Sequence, residues 1–282
     1  MRQGKRLLGA FVMCCFVFLS TSPAMAQSQN EPRKKSSVKR EQLNNGLIQA
    51  ASLGDTSLVG TLICKGADVN ARDAENMTPL MHAALNGHED TLEYLIDKGA
   101  DLNLVDVFGV TALMQASWSG HTNIAETLIS YGANVNEKSS GQIPKLKKKG
   151  ITALMAATLT GDYDMAQLLV SRGADLDQQD EEGQTALTYA AKGGYDRIAK
   201  LLLANGANME IRDQFGRTPL IIAAIHNNIG VVNSLVNCGA NINAKDFNDL
   251  TAIKYASALS HDRIHSLLTH AGTSRSARGY RY

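Results

Sequence analysis

The chain has 282 residues, of which 44% are hydrophobic and 20% charged, enough apolar material for a sizeable core and too much for a disordered protein. Its net charge of +1 conceals a segregation: residues 41–272, leaving out 137–149, hold 12 Lys and Arg against 25 Asp and Glu, whereas both ends are basic. An acidic body repels a phosphate backbone, so no nucleic-acid partner is expected.

The N-terminus carries Arg2, Lys5 and Arg6, an apolar run from Leu7 to Leu19, and then Ala24-Met25-Ala26. A positive region, a short apolar region and an A-x-A site predict a signal peptide over residues 1–26, cut after Ala26. The mature protein is then expected in the periplasm or outside the cell. The apolar run is too short to span a bilayer comfortably, and no stable membrane insertion is expected after cleavage. Residues 27–40 include Arg33, Lys34, Lys35, Lys39 and Arg40 and read as a disordered basic leader.

From there a single pattern recurs. Its glycine falls at Gly66, Gly99, Gly132, Gly173, Gly206, Gly239 and Gly272, in steps of 33 residues with one step of 41. A threonine keeps the same spacing at Thr78, Thr111, Thr152, Thr185, Thr218 and Thr251, with Asn45 in its place at the start. A fixed period of this length means stacked repeats. Seven are expected, starting near residues 45, 78, 111, 152, 185, 218 and 251 and filling 41–272.

Each repeat can be read residue by residue. Thr78 is a helix N-cap type, and Pro79 follows at the position where its missing N–H costs nothing. Leu80, Ala83 and Ala84 give a first short helix its apolar stripe, and Asn86-Gly87-His88 breaks it. Leu92, Leu95 and Ile96 stripe a second helix, which Gly99 ends as a left-handed cap. Asp-x-x-Gly before the next threonine predicts a tight turn, with Asn76 and Asp249 standing in for its glycine. Two such helices bury too little alone and must stack on their neighbours. The polar residues of the first and last repeats suit the ends of such an array, and residues 273–282 form a basic tail.

The irregular step places eight extra residues in the connection 137–149. It carries Lys138, Lys145, Lys147, Lys148 and Lys149 against Glu137 and is expected to project as a basic finger. Insertions of this kind map to one face, often the binding face. Only Cys64 and Cys238 remain after signal removal. Stacking at roughly 8–10 Å per helix layer puts them far beyond disulfide reach, and both are expected as small buried apolar residues.

Thr-Pro-Leu at 78–80 and 218–220, the Ala-Ala pairs at 83–84, 190–191 and 223–224, Gly-His at 87–88 and 120–121, and Gly-Ala-Asp/Asn in six repeats together resemble the ankyrin repeat. The resemblance covers residues 41–272 and implies an all-α solenoid of helix-turn-helix repeats joined by short β-hairpin loops. One departure is consistent. Where the family carries histidine after Thr-Pro-Leu, this chain has Met81, Met114, Met155, Thr188, Ile221 and Lys254. The polar contact between repeats that the histidine makes is therefore not expected here.

No phosphate-binding glycine loop or nucleophile elbow is present, and the repeated Thr, Asp and Gly are accounted for by caps and turns. His261 and His265 are four apart on the last helix but lack a third ligand, so no metal, cofactor or catalytic residue is expected. The resemblance implies instead a non-enzymatic module that binds a protein through its concave groove and hairpin tips. Met77, Leu85, Val107, Phe108, Val110, Trp118, Ile151, Leu159, Phe215, Ile225 and Phe247 stand at groove or tip positions and are apolar where the fold leaves them free to be polar. Large exposed apolar groups of this kind mark binding sites. Lys145, Lys147, Lys148 and Lys149 are the matching candidates on the insertion. A monomer with one protein partner is expected. The resemblance further implies a protective role, in stress defence or toxin immunity, with a secreted effector of a host protein as the alternative and an enzyme built on the groove as a remoter one.

Overall fold

The computed structural model describes residues 23–143 and 147–278. The expected signal peptide lies outside the described residues but for its last four, as do Lys145 and residues 279–282 of the tail. The chain divides into two units, Met1–Glu41 and Gln42–Tyr282. In the first, residues 27–40 are helical and belong to α1 (Pro23–Leu53). The Gln, Glu, Lys and Arg that make this stretch polar are also good helix formers.

The second unit is built of helix pairs. The last turns of α1 pair with α2 (Thr56–Cys64), α3 (Pro79–Asn86) with α4 (Glu89–Asp97), and α5 (Ala112–Ser119) with α6 (Thr122–Ser130). Then come α7 (Ala153–Thr160) with α8 (Tyr163–Ser171) and α9 (Ala186–Gly193) with α10 (Asp196–Ala204). The last pairs are α11 (Pro219–Ile225) with α12 (Ile229–Asn237) and α13 (Ala252–Ala258) with α14 (Asp262–Arg278). First helices stack on first helices and second on second.

The local chemistry repeats with the fold. Thr78, Thr111, Thr152, Thr185, Thr218 and Thr251 each cap a first helix by accepting the N–H three residues on. Gly87 closes α3 in the left-handed region at φ 82°, a conformation that Asn227 and Ser260 adopt in the last two repeats. Ala83, Ala84, Ala157, Ala190, Ala191, Ala223 and Ala224 are fully buried, which lets first helices of adjacent repeats approach closely.

Polar ties between repeats exist, at other positions than the family histidine. The residue preceding each second helix reaches back to the end of the previous first helix. His88 donates to the Ser52 carbonyl at 3.0 Å, His121 to Leu85 at 3.2 Å, Asn228 to Ala191 at 2.8 Å and His261 to Ala224 at 2.9 Å. Tyr195 makes the same reach to Leu159 at a long 3.5 Å. Asp162 is the exception. A carboxylate cannot donate, and it caps its own helix through Met165 N–H instead.

The connections between repeats are tight turns rather than paired strands. Among the described residues only isolated bridges form, Ile143 with Lys148 and Lys245 with Thr251. An aspartate side chain does the work of the missing ladder. Oδ1 of Asp73, Asp106, Asp180, Asp213 and Asp246 accepts the N–H groups two and four residues on. Ser139 takes the aspartate's place at the insertion, its Oγ accepting from Ile151 N–H across the extra residues. Neighbouring tips are joined by single backbone bonds, such as Val107 N–H to Glu75 and Phe247 N–H to Phe215.

Gly272 departs from its predicted role. It lies inside α14, which runs on to Arg278, and it does not cap the helix. The six earlier glycines lead through Ala-Asp or Ala-Asn into a further turn, whereas Thr273-Ser274 follows here and no turn needs to form. Cys64 and Cys238 are exposed, not buried. They stand at the ends of second helices, where other repeats place Asp97, Lys98, Ser130 or Arg172, which is the solvent-facing edge.

Candidate partner-binding site

The tips that follow Asp73 and Asp106 overhang the first helices α3, α5 and α7, and between them lies a pocket of about 330 Å³. That is near the lower bound of roughly 300 Å³ for small-ligand sites. Met77, Phe108 and Val110 reach it from the tips, Leu85 from α3, and Met114 and Trp118 from α5. Ala156 of α7 and the two ends of the insertion, Ile143 and Ile151, complete its apolar wall. Glu75, Asp106 and Gln115 are its polar members.

Met77, Leu85, Phe108, Val110, Trp118 and Ile151 from the sequence reading thus surround one cavity. Met77, Val110 and Ile151 are buried in its floor, while Leu85, Phe108 and Trp118 are half-buried. Trp118, Ile143 and Leu159 pack against Ile151, Met155, Ala156 and Tyr189, so Trp118 has one face on the body and another on the pocket. The remaining candidates lie apart from the cavity. Val107, Phe215 and Phe247 are exposed at tips, Phe247 to 75%, and Ile225 is half-buried against the core.

The insertion is not a free finger. Gly141 N–H donates to Phe108 and Glu181 N–H to Lys149, so both its ends are stitched into the row of tips. Lys148 is folded onto the next repeat, against Glu182, 3.5 Å from Asp180, and 5.4 Å from the Tyr189 ring centre. Lys149 lies 3.7 Å from Glu181, and Lys147 is exposed. The charge contrast that made the lysines look like a partner contact is thus partly consumed within the chain.

Electrostatics separates the turn aspartates. Oδ2 of Asp73 meets His82 at 2.8 Å, that of Asp180 the Tyr189 hydroxyl at 2.5 Å, that of Asp213 Arg217 at 2.8 Å, and that of Asp246 the Tyr255 hydroxyl at 2.6 Å. At Asp73 and Asp246 burial pushes the carboxyl pKa up, but these hydrogen bonds and those from the backbone outweigh it and hold it below the usual range. Burial, followed by the Asp180 carboxylate, pushes the Tyr189 hydroxyl far up. Asp106 differs. Burial raises its carboxyl above the ordinary range, Glu75 and Asp73 add to the rise, and only backbone N–H groups oppose it.

Sequence reasoning missed Asp106, Gln115, Met114 and Ile143 as pocket residues. Asp106 had already been explained by its turn. Ile143 carried a signal within the basic insertion, an apolar residue where solvation demands none. Among the described residues no cluster of three His, Cys, Asp or Glu is placed to hold a metal, and no helix is long and apolar enough to cross a membrane. Nδ1 of His261 is engaged with Ala224, as above.

A family model described as ankyrin repeats (3 copies) matches residues 47–139, 140–213 and 198–277. An ankyrin repeat protein of Rickettsia felis is 41% identical over 51 residues, covering 18% of this chain and 81% of that one. A second from the same organism is 39% identical over 54 residues, covering 19% and 82%. The crystal structure of the human ASB11 ankyrin repeat domain superposes with a TM-score of 0.68 at 26% identity, over 79% of this chain and 96% of that one.

Proposed function

Because the chain belongs to the ankyrin-repeat family, a fold of protein-binding modules, we propose that it works outside the cytoplasm and holds its protein partner on the face that carries the tips and first helices. The observation that carries this reading is the pocket itself. Half-buried Phe108, Trp118 and Leu85 gather around one cavity without closing it. Aromatic side chains at the edge of an unfilled pocket are the groups that dominate protein interfaces. Export rests on the three-part sequence at residues 1–26. A protective role, in which the module shields a protein of its own compartment, fits both features.

A photo-cross-linking residue at Phe108, compared with one at exposed Glu93 on α4, tests the face. Cross-links from position 108 that vanish in Trp118→Ala, with none from position 93, are expected; equal capture from both positions would refute the assignment. N-terminal sequencing from the extracytoplasmic fraction should begin at Gln27. An intact Met1 in the cytosol would refute export.

A further inference from the structure

The reading above says that a protein binds this face; the repeats themselves point to what enters the pocket, and the inference rests on that reading. At Asp213, Arg217 Nε lies 2.8 Å from Oδ2, and its guanidinium sits 4.5 Å from the Phe215 ring centre. At Asp180, Lys148 lies 3.5 Å from Oδ2 and 5.4 Å from the Tyr189 ring centre. Twice, then, a turn aspartate and a neighbouring aromatic ring hold a cation belonging to the chain. In register Asp106 matches Asp213, Phe108 matches Phe215, and Val110 stands where Arg217 stands. The carboxylate and the ring are kept and the cation is gone. Val110, in the register position of Arg217, lines the pocket.

The pocket also has a buried polar member. Asp106 is only 7% exposed and lines the pocket. Its Oδ1 accepts from Phe108 and Val110 N–H, but among the described residues no hydrogen bond or ion pair reaches Oδ2. Burial, with Glu75 and Asp73 adding to it, raises the Asp106 carboxyl above the ordinary range, so a cation at Oδ2 would relieve a charge that the pocket leaves uncompensated.

We propose that this pocket takes an arginine side chain of the partner protein, its guanidinium on Asp106 Oδ2 and Glu75, its stem along Met77 and Val110, and its plane against Phe108 or Trp118. Arginine fits better than lysine, because a planar, weakly hydrated fork can pair with a carboxylate and stack on a ring at once. Apolar walls strengthen such a charge-assisted bond.

Trp118 is the sole tryptophan and lines the pocket, so its fluorescence reports occupancy of the full chain. The probe is N-acetyl-arginine amide, with the neutral isostere N-acetyl-citrulline amide as its control. Saturable, millimolar binding of the arginine probe is expected, about tenfold or more tighter than citrulline and weakened to a similar degree by Asp106→Asn. Should that variant misfold by circular dichroism, Glu75→Gln at the exposed rim is expected to weaken binding in the same direction. Equal responses to both probes, or arginine binding unaltered by both substitutions, would overturn the proposal. Binding that emerges only in Lys145→Ala would overturn it by making the chain's own lysine the occupant. Free arginine binding more tightly than the blocked form would overturn the protein source. Position-108 cross-links that persist while the arginine probe fails would remove this inference alone, whereas absent cross-links remove the groove reading itself.

Discussion

Trp118→Ala separates a pocket wall from a core residue. Truncating a fully buried aromatic costs about 3–5 kcal/mol through lost transfer energy and the cavity left behind. Trp118 is half-buried, packed on Ile151, Met155, Ala156 and Tyr189 on one side and bordering open space on the other. About half the full cost follows, roughly 2 kcal/mol, because the deleted ring enlarges a cavity that already exists rather than creating a sealed one. Leu128→Ala is the internal standard: it lies in the same repeat, on α6, and is 0% exposed. It should cost about 3–4 kcal/mol. Trp118→Phe should cost about 1 kcal/mol or less. Urea unfolding followed by far-UV circular dichroism measures all three, since the chain's sole tryptophan is lost in both Trp118 variants. A Trp118→Ala loss equal to that of Leu128→Ala would make the residue core and undo the argument. A loss under about 0.5 kcal/mol would show that it packs on nothing.

Asp106→Asn keeps the acceptor that holds the turn and removes a charge set among Asp73, Glu75 and the His82 paired with Asp73. With the folded carboxyl raised, its ionised form costs stability at neutral pH, and that cost is relieved as pH falls through the folded value toward the ordinary value of about 3.9. The variant should therefore be the more stable at pH 7, with the gap closing toward pH 4 in urea titrations; a constant gap would contradict the assignment. Asp73 and Asp246, whose carboxyls are held low, act oppositely: their contribution is present above about pH 4 and is lost only as pH falls through their depressed values. Lys148→Ala should cost about 2–3 kcal/mol, since the lysine side chain is 12% exposed between Asp180 and Glu182, whereas exposed Lys147→Ala should stay within about 0.5 kcal/mol. Equal effects of the two would mean that the insertion does not dock as described. Cys64 and Cys238 should both react with a thiol reagent in the folded chain, and protection of either until unfolding would contradict their exposure.

The fold was legible because each element is written in local chemistry: Thr caps, glycine at left-handed positions, and paired alanines where helices touch. Asn76 and Asp249 take the positive φ predicted for them, at 61° and 60°. What escaped were effects carried by partners far along the chain. Lys148 is a loop lysine in sequence and becomes buried only because Asp180 and Glu182 arrive from the next repeat. Asp106 reads in the sequence as a turn residue, which accounts for one oxygen of its carboxylate and leaves the other without a role. The exposure of the cysteines was recoverable: aligning Cys64 with Asp97 and Ser130, and Cys238 with Lys98 and Arg172, already assigns them to a polar edge.

Asp162 has a consequence for how the stack comes apart. In a linear array each boundary contributes its own coupling, and breathing begins where the coupling is smallest. The boundary between the third and fourth repeats lacks the donor tie that its neighbours have, because Asp162 has turned to its own helix. The Arg172–Glu126 ion pair across that boundary is solvent-facing and adds little. The same boundary runs through the pocket wall, from Trp118 on α5 to Ala156 on α7. A guest seated there therefore bridges a seam that lacks this tie, and amide exchange in α5 and α7 should slow when it binds.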